Sequence, residues 1–488
     1  MISNFSIYLA LAIVIPSVVG LFCFIAPKKG ILRDTLTILG AIIHFFIILK
    51  IYQAYKAGEE ISLNLISIFP GGDIAFIVEP LGMLFSGLVS ILWFVSSVYA
   101  IGYMRSNKEK RLGPFFGFFA LAISTTIALS YSANLFALFI FYEILTFVTY
   151  PLVSHRGDNE SLLGARRYIL ILVSTSVLFF LPAIIGTYFI AGTLDFKMGG
   201  IFPEKTNNSV LLILSVLFIY GIGKAALMPI HRWLPSAMVA PAPVSALLHA
   251  VAVVKAGVFS VVKIIVCIFG MENFQEFGGS DWLVYVAGFS ILLASSIALG
   301  QDNLKSRLAY STISQLAYVV LAAAIAKPLA VVGACVHIIG HGFSKITLFF
   351  AAGSIYLKAH KINISDLNGI GRRMPWTMTA FTIGALGMIG IPPTAGFLGK
   401  WFILSSAISI KDYFVLIVLM ISTILNAAYF LPIIYNAFLK EEKEVPGDDH
   451  KDSPFLVVIA ICTTALISII LFFFPQIPIS LSYDLLGL

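Results

Sequence analysis

Charge is scarce in this chain. Of 488 residues only 11% are Asp, Glu, Lys or Arg, while 59% are hydrophobic. A soluble domain carries about a quarter charged residues, so the imbalance excludes a water-exposed domain of any size and defines a polytopic membrane protein. Cysteine is rare too. Cys23, Cys267, Cys335 and Cys462 lie dispersed in apolar runs without CxxC spacing, which argues against iron–sulfur or zinc ligation and leaves them as buried packing residues. No nucleotide loop or cofactor motif is present, so the chain carries no energy source or cofactor of its own. Carboxylates at membrane depth are too few to identify sodium ligands.

What is there is apolar sequence in lengths that cross a bilayer. Runs of about 20 residues recur about fourteen times between residues 6 and 480, which predicts an all-α membrane protein with almost nothing outside its helices. The first run has no charged leader region or small-residue cleavage site and reads as a retained helix. Loops after odd-numbered helices hold roughly twenty Lys and Arg, among them Lys28, Lys29, Arg105, Arg111, Arg372 and Arg373, and loops after even-numbered helices about five. The odd loops are therefore expected in the cytoplasm and both termini outside. These residues account for the net charge of +7, so the partner that the charge implies is a lipid bilayer and not nucleic acid.

Two helices are interrupted. MPIHRWLPSAMVAPAP places Pro229, Pro235, Pro241 and Pro243 at the end of the seventh run, 210–229, and before the eighth. GIPPTAGFLGK places Pro392, Pro393, Gly396 and Gly399 inside the twelfth. Proline removes a backbone donor, so a broken helix at membrane depth must be enclosed by protein or line a wet cavity. Paired interruptions in two halves point to a transporter's binding sites, the alternative for either alone being a simple proline kink.

Lone charges inside apolar runs cost at least ~2.5 kcal/mol each on insertion scales, and their default reading is an ion or proton pathway. Glu143, in LFIFYEILTFVTY, has no other acid in its span. Lys224 is flanked by Gly221, Gly223, Ala225 and Ala226, small residues that let a neighbouring helix approach. Exclusion of water favours a neutral amine and a nearby carboxylate favours the ammonium. A Glu143–Lys224 pair that forms and separates would thus switch proton affinity at the next site.

The eighth helix carries His249 and Lys255, six residues apart and so well off one face of a regular helix. Lys263 follows nearer its end and reads as an interfacial snorkeller. In HIIGHGFSKITLFF, His337, His341 and Lys345 recur every four residues as one polar stripe. A proton wire is favoured there over a metal site, because no HExxH and no acid accompanies the histidines. Lys400 follows the second break and is either a terminal pathway charge or an interfacial anchor beside Trp401. Glu79 reads as a structural or interfacial charge that could meet a basic partner, and Asp302, Lys305 and Arg307 as a solvated or mutually paired loop cluster.

Four stretches, HRWLPSAMVAPAPVSALLHAVAVVKAGVF, QDNLKSRLAYSTISQLAYV, HIIGHGFSKITLFFAAGSI and GIPPTAGFLGKWF, resemble in sequence and order the antiporter-like membrane subunits. That family is shared by respiratory complex I (L, M and N types), multisubunit Mrp sodium/proton antiporters, and energy-converting hydrogenases and related ferredoxin-linked complexes. The resemblance spans roughly residues 75–440. It implies about fourteen helices with two inverted five-helix repeats: N-terminal helices over 1–110, a first repeat over 111–270, a second over 271–440 and a last helix over 441–488. It places Glu143 and Lys224 on the family's fifth- and seventh-helix charges and Lys255 or His249 on the central site. His337, His341 and Lys345 fall on the relay and Lys400 on the terminal charge.

The implied partners are other antiporter-like and small membrane subunits, with a peripheral iron–sulfur, hydrogenase-like arm where the complex is redox-driven. The implied ion is the proton, with sodium as an alternative cargo, and the implied place is the plasma membrane of a prokaryote. A short chain end and a lysine at position 400 resemble the Mrp D subunit and its counterparts in hydrogenase and sulfur-reducing complexes. Three readings stand at this point: a proton-translocating subunit of a redox-driven complex, a subunit of a sodium/proton antiporter, and a non-conducting scaffold.

Overall fold

A computed structural model describes residues 5–25, 30–441 and 451–488; Lys28 and Lys29 of the loop-charge count lie outside them. Six helices form the first part: α1 (Ser6–Ile25), α2 (Ile31–Lys56), α3 (Pro80–Ser106), α4 (Leu112–Ser130), α5 (Leu135–Val153) and α6 (Asn159–Ala191). The broken α7 begins with Asn208–Gly221 and is followed by α8 (Ala242–Phe269), α9 (Gly279–Leu299), α10 (Leu304–Ile325) and α11 (Pro328–Ala359). The broken α12 consists of Pro375–Ile389 and Ala395–Ser409. The helices α13 (Tyr413–Leu439) and α14 (Phe455–Phe473) follow, and a short α15 (Gln476–Asp484) ends the set.

Twelve of these helices are long and apolar enough to cross a membrane. The two broken ones, α7 and α12, fall short because each is interrupted, and together they account for the expectation of about fourteen. Helix starts follow from short polar side chains: Asn134, Asp158, Asn303 and Asp412 each accept from a backbone N–H in the first turn of α5, α6, α10 and α13, the groups a helix leaves unpaired. Bonds from Ser161 hold the Asp158 carboxyl below its usual range.

Between α2 and α3 lies an antiparallel hairpin, β1 (Ser62–Phe69) and β2 (Gly72–Ile77), with Phe69 opposite Gly72. The all-helical expectation did not include it. Its turn is Pro70–Gly71, where glycine takes φ +78, the backbone region that tight hairpin turns use.

Burial sorts the helices. Every residue of α8 is buried, and α10 and α11 are nearly as enclosed, whereas only about a third of the apolar stretch of α1, α6 and α14 is buried, as helices that face lipid require. The helix α8 packs on α3, α4, α5, α10 and α11. Two of the three most enclosed helices, α8 and α11, thus carry His249, Lys255, His337, His341 and Lys345.

Candidate functional site

The first break comes earlier than the proline run. The seventh helix was expected to run to 229; it ends at Gly221, and Lys224 sits in a single 3-10 turn, Gly223–Ala225. The reason is packing. The Trp233 indole donates to the Gly223 carbonyl at 2.9 Å, and Gly257 of α8 lies so close to the Lys224 backbone that a side chain there would collide with it.

Lys224 is fully buried. Its Nζ donates to the Tyr142 carbonyl and the Thr146 hydroxyl, each at 2.6 Å, and lies 3.2 Å from the Tyr142 ring centre. The Tyr142 hydroxyl accepts from the Lys224 backbone N–H at 3.0 Å. No direct ion pair joins Lys224 to Glu143 among the described residues, although Glu143 is near enough to act on it electrostatically. The arrangement is the separated one, with a carbonyl and a hydroxyl holding the ammonium. Glu143 is half-buried on α5, and its Oε1 has no hydrogen-bond partner among the described residues.

On α8, His249 lies in a wider π turn, Leu247–Val251. Such insertions shift the phase of a helix and gather at functional sites. His249 and Lys255 each bond to a different one of the two helices that face α8, His249 to α10 and Lys255 to α11, as residues off one face do. His249 Nδ1 is 3.1 Å from Thr312 Oγ1, and Lys255 Nζ is 2.6 Å from His341 Nδ1.

The α11 stripe is met by a stripe on α10. Lys345 Nζ donates to Ser311 Oγ at 2.6 Å and the Leu308 carbonyl at 3.2 Å. His337 stacks between Tyr318 and His341, with ring centres 5.5 and 6.2 Å away. Lys400 Nζ lies 4.8 Å from the Tyr318 ring centre. It also donates to the carbonyls of Met388 and Ile389 at 2.8 and 2.9 Å, the unpaired C-terminal acceptors of the first half of α12. Lys400 is therefore not a surface anchor: it caps the break that precedes it and borders a cavity of about 320 Å³. Pro229, Pro392 and Pro393 are exposed on the single chain and Pro235 half-buried.

Tyr142, Thr146, Ser311, Thr312 and Tyr318 were missed by sequence reasoning. The α10 residues carry a signal, S-T-x-x-Q-x-x-Y at helical spacing, that a search for polar stripes would find; Tyr142 has only its adjacency to Glu143.

Two readings of outer charges change. Lys263 does not snorkel; it is buried and paired with Glu79 at 2.6 Å. Asp302, Lys305 and Arg307 do not pair with one another: Asp302 accepts from Ser365, Lys305 donates to the carbonyls of Met238 and Ala240, and Arg307 to those of Leu299, Gln301 and Tyr429. Lys305 thereby ties α10 to the segment between α7 and α8, beside a cavity of about 370 Å³ that Arg156 and Lys361 also line.

Among the described residues no group of three or more His, Cys, Asp or Glu is placed to hold a metal ion. His249 Nε2, Gln315 Nε2, His341 Nε2, Ser344 Oγ and both ring nitrogens of His337 are buried without a hydrogen-bond partner among the described residues. Protonatable side chains facing one another along the enclosed helices of a membrane bundle with two broken helices define the class: a membrane ion-translocation protein.

Comparison with known proteins gives the family. Residues 132–426 match the family described as NADH:quinone oxidoreductase/Mrp antiporter, TM, and the chain belongs to it. It is 32% identical over 379 residues to NADH-quinone oxidoreductase subunit N of Desulforudis audaxviator, covering 76% of this chain and 74% of that one. It is also 32% identical over 352 residues to NAD(P)H-quinone oxidoreductase subunit 5, organellar chromatophore 1, of Paulinella chromatophora, covering 69% of this chain and 51% of that one. The chain thus spans about half the length of that second relative. Two solved structures share the fold at a TM-score of 0.86: the archaeal membrane-bound sulfane sulfur reductase, at 22% identity over 98% of this chain and 97% of the other, and the Mrp complex of Dietzia sp. DQ12-45-1b, at 19% over 99% and 97%.

Proposed function

We propose that this chain is the proton-translocating, antiporter-like subunit of a multisubunit redox-driven membrane complex. The observation that carries the reading is the run of groups from buried Lys255 through buried His341, His337 and Tyr318 to half-buried Lys400. A buried polar atom left unsatisfied costs about 1–3 kcal/mol, so the unpartnered nitrogens along the run suit a file of water. Protons are taken up toward Lys224 and Lys255 from the cytoplasmic side, pass laterally along α11 and leave near Lys400. The Glu143–Lys224 pair, separated in this structure, couples the cycle to neighbouring subunits as it closes and opens.

Moving one charge across 100 mV is worth about 2.3 kcal/mol, a scale that redox energy divided over several subunits can meet. In this reading iron–sulfur clusters or other redox centres reside in partner subunits, in a peripheral hydrogenase-like arm, and the membrane partners are further antiporter-like and small subunits. The chain sits in a prokaryotic plasma membrane with both termini outside, and the inverted repeats are α4–α8 and α9–α13. A second reading, the D-type subunit of a sodium/proton antiporter, draws support from the equal fold similarity to an Mrp complex; sequence relatedness to quinone oxidoreductase subunits favours the first.

The test is purification of the native complex in mild detergent, identification of its subunits, and assay of ferredoxin or dye oxidation. Iron–sulfur partners with redox-driven proton pumping that Lys224→Ala reduces is the expected result. A membrane-only assembly without redox activity overturns it in favour of the antiporter, and unchanged transport in Lys224→Ala or Lys255→Ala leaves only a scaffold.

A further inference from the structure

Lys263 and Glu79 stand apart from the run just described. Lys263 lies on α8 two turns beyond Lys255, about 12 Å farther along the axis at the helical rise. Its side chain is 1% exposed, whereas that of Glu79 is 24% exposed. Lys263 Nζ meets Glu79 Oε2 at 2.6 Å, donates to the Ser132 carbonyl at 3.2 Å and lies 4.2 Å from the Phe196 ring centre. Glu79 stands at the start of α3, so the pair lies toward the face of the even-numbered loops. An ammonium near a helix end reaches water by snorkelling at little cost. Here it is enclosed, and its link to water runs through a carboxylate that is itself partly exposed.

Fold stability alone is a weak reason for this arrangement, because apolar replacement of a buried ion pair is often neutral or stabilising. Lys255, Phe259 and Lys263 occupy successive turns of α8, with Lys263 Nζ 5.8 Å from the Phe259 ring centre and Phe259 packed on Phe85 at 5.1 Å. One apolar ring thus separates the central lysine from the outer pair, the form of a hydrophobic constriction.

We propose that the Glu79–Lys263 pair is a proton mouth connecting the α8 lysines with water on the even-loop face, a second outlet that each cycle uses alongside the lateral path to Lys400 so that blocking either stalls transport, and a role that rests on the translocation reading above. For outward transfer the Lys263 ammonium gives one proton to Glu79 Oε2, leaving a neutral amine and a carboxylic acid. The acid releases that proton to water, and the amine takes the next from the Lys255 side past Phe259. Inward transfer runs the same steps in reverse.

The experiment uses the native complex in sealed vesicles, with proton transport read by a pH dye and formate supplied on the even-loop face. Glu79→Gln lowers transport at least about tenfold, the scale of a lost proton-transfer group. Glu79→Asp retains most of it, and formate restores Glu79→Gln to within about threefold of the parent, as a diffusible acid replacing the missing carboxyl does. Removing both charges together, in Glu79→Gln with Lys263→Met, keeps assembly and shows the same loss. Parent-like transport in Glu79→Gln or in the double variant overturns the proposal, as does a loss in assembled Glu79→Gln that formate leaves unchanged. Lys255→Met separates the two levels: if it transports normally, the translocation reading and the mouth fall together, and if it is inactive while Glu79→Gln is normal, the mouth alone falls.

Discussion

Lys255 of α8 and His341 of α11 meet at 2.6 Å, and among the described residues no carboxylate is hydrogen-bonded to either. Two bases sharing one short contact hold one proton between them more readily than two. The contact joins the central lysine to the histidine stripe. Lys255→Met and His341→Phe should each lower proton transport at least about tenfold, and the double variant should be no worse than the poorer single one, because groups that act as a unit are not additive. Transport by the three variants in vesicles checks this, and additive losses would show two separate routes.

Lys400 closes the break in α12 by donating to Met388 and Ile389. Removing it leaves two carbonyls without that donor, so Lys400→Ala should lose about 1–3 kcal/mol of stability. Lys400→Arg, which keeps donors and charge, should recover most of it. Thermal unfolding of the purified complex reads both, and an unchanged midpoint for Lys400→Ala would remove the capping role.

The Tyr318 ring lies between His337 and Lys400. A ring face attracts a cation by about 0.5–2 kcal/mol. Tyr318→Phe keeps that face and should transport within about threefold of the parent, while Tyr318→Ala should fall at least about tenfold. Equal loss in both would transfer the role to the hydroxyl.

Gly257 lets α8 pass against the Lys224 backbone. Gly257→Val introduces volume where the neighbour is main chain, and overpacking of this kind costs about 1–3 kcal/mol. The expected outcome is a lower unfolding temperature together with reduced transport, measured side by side. Loss of transport alone would mean that the break accommodates the side chain and only its geometry matters.

Much of this was legible beforehand because the physics is local. Desolvation cost singled out Lys224, Lys255, His337, His341, Lys345 and Lys400, and helical spacing showed that His337, His341 and Lys345 share a face. Proline and glycine marked the break in α12 correctly and that in α7 a few residues late, since its true end depends on the fit of Gly223 against Trp233 and of Gly257 against Lys224. The hairpin after α2 had a turn signal in Pro70–Gly71 that the search for apolar runs passed over.

Sequence by itself determined that this protein lives in a bilayer, which helices are interrupted, and which protonatable residues sit where water is scarce, because each follows from composition and spacing along one chain. Tertiary structure alone decided who meets whom. It joined Lys255 to His341 and Lys263 to Glu79, gave Lys224 to Tyr142 and Thr146 in place of Glu143, and turned Lys400 back onto its own broken helix. Those choices depend on the relative rotation and depth of helices far apart in sequence, set by packing and by the phase shift of a π turn in α8, which no single helix specifies for itself.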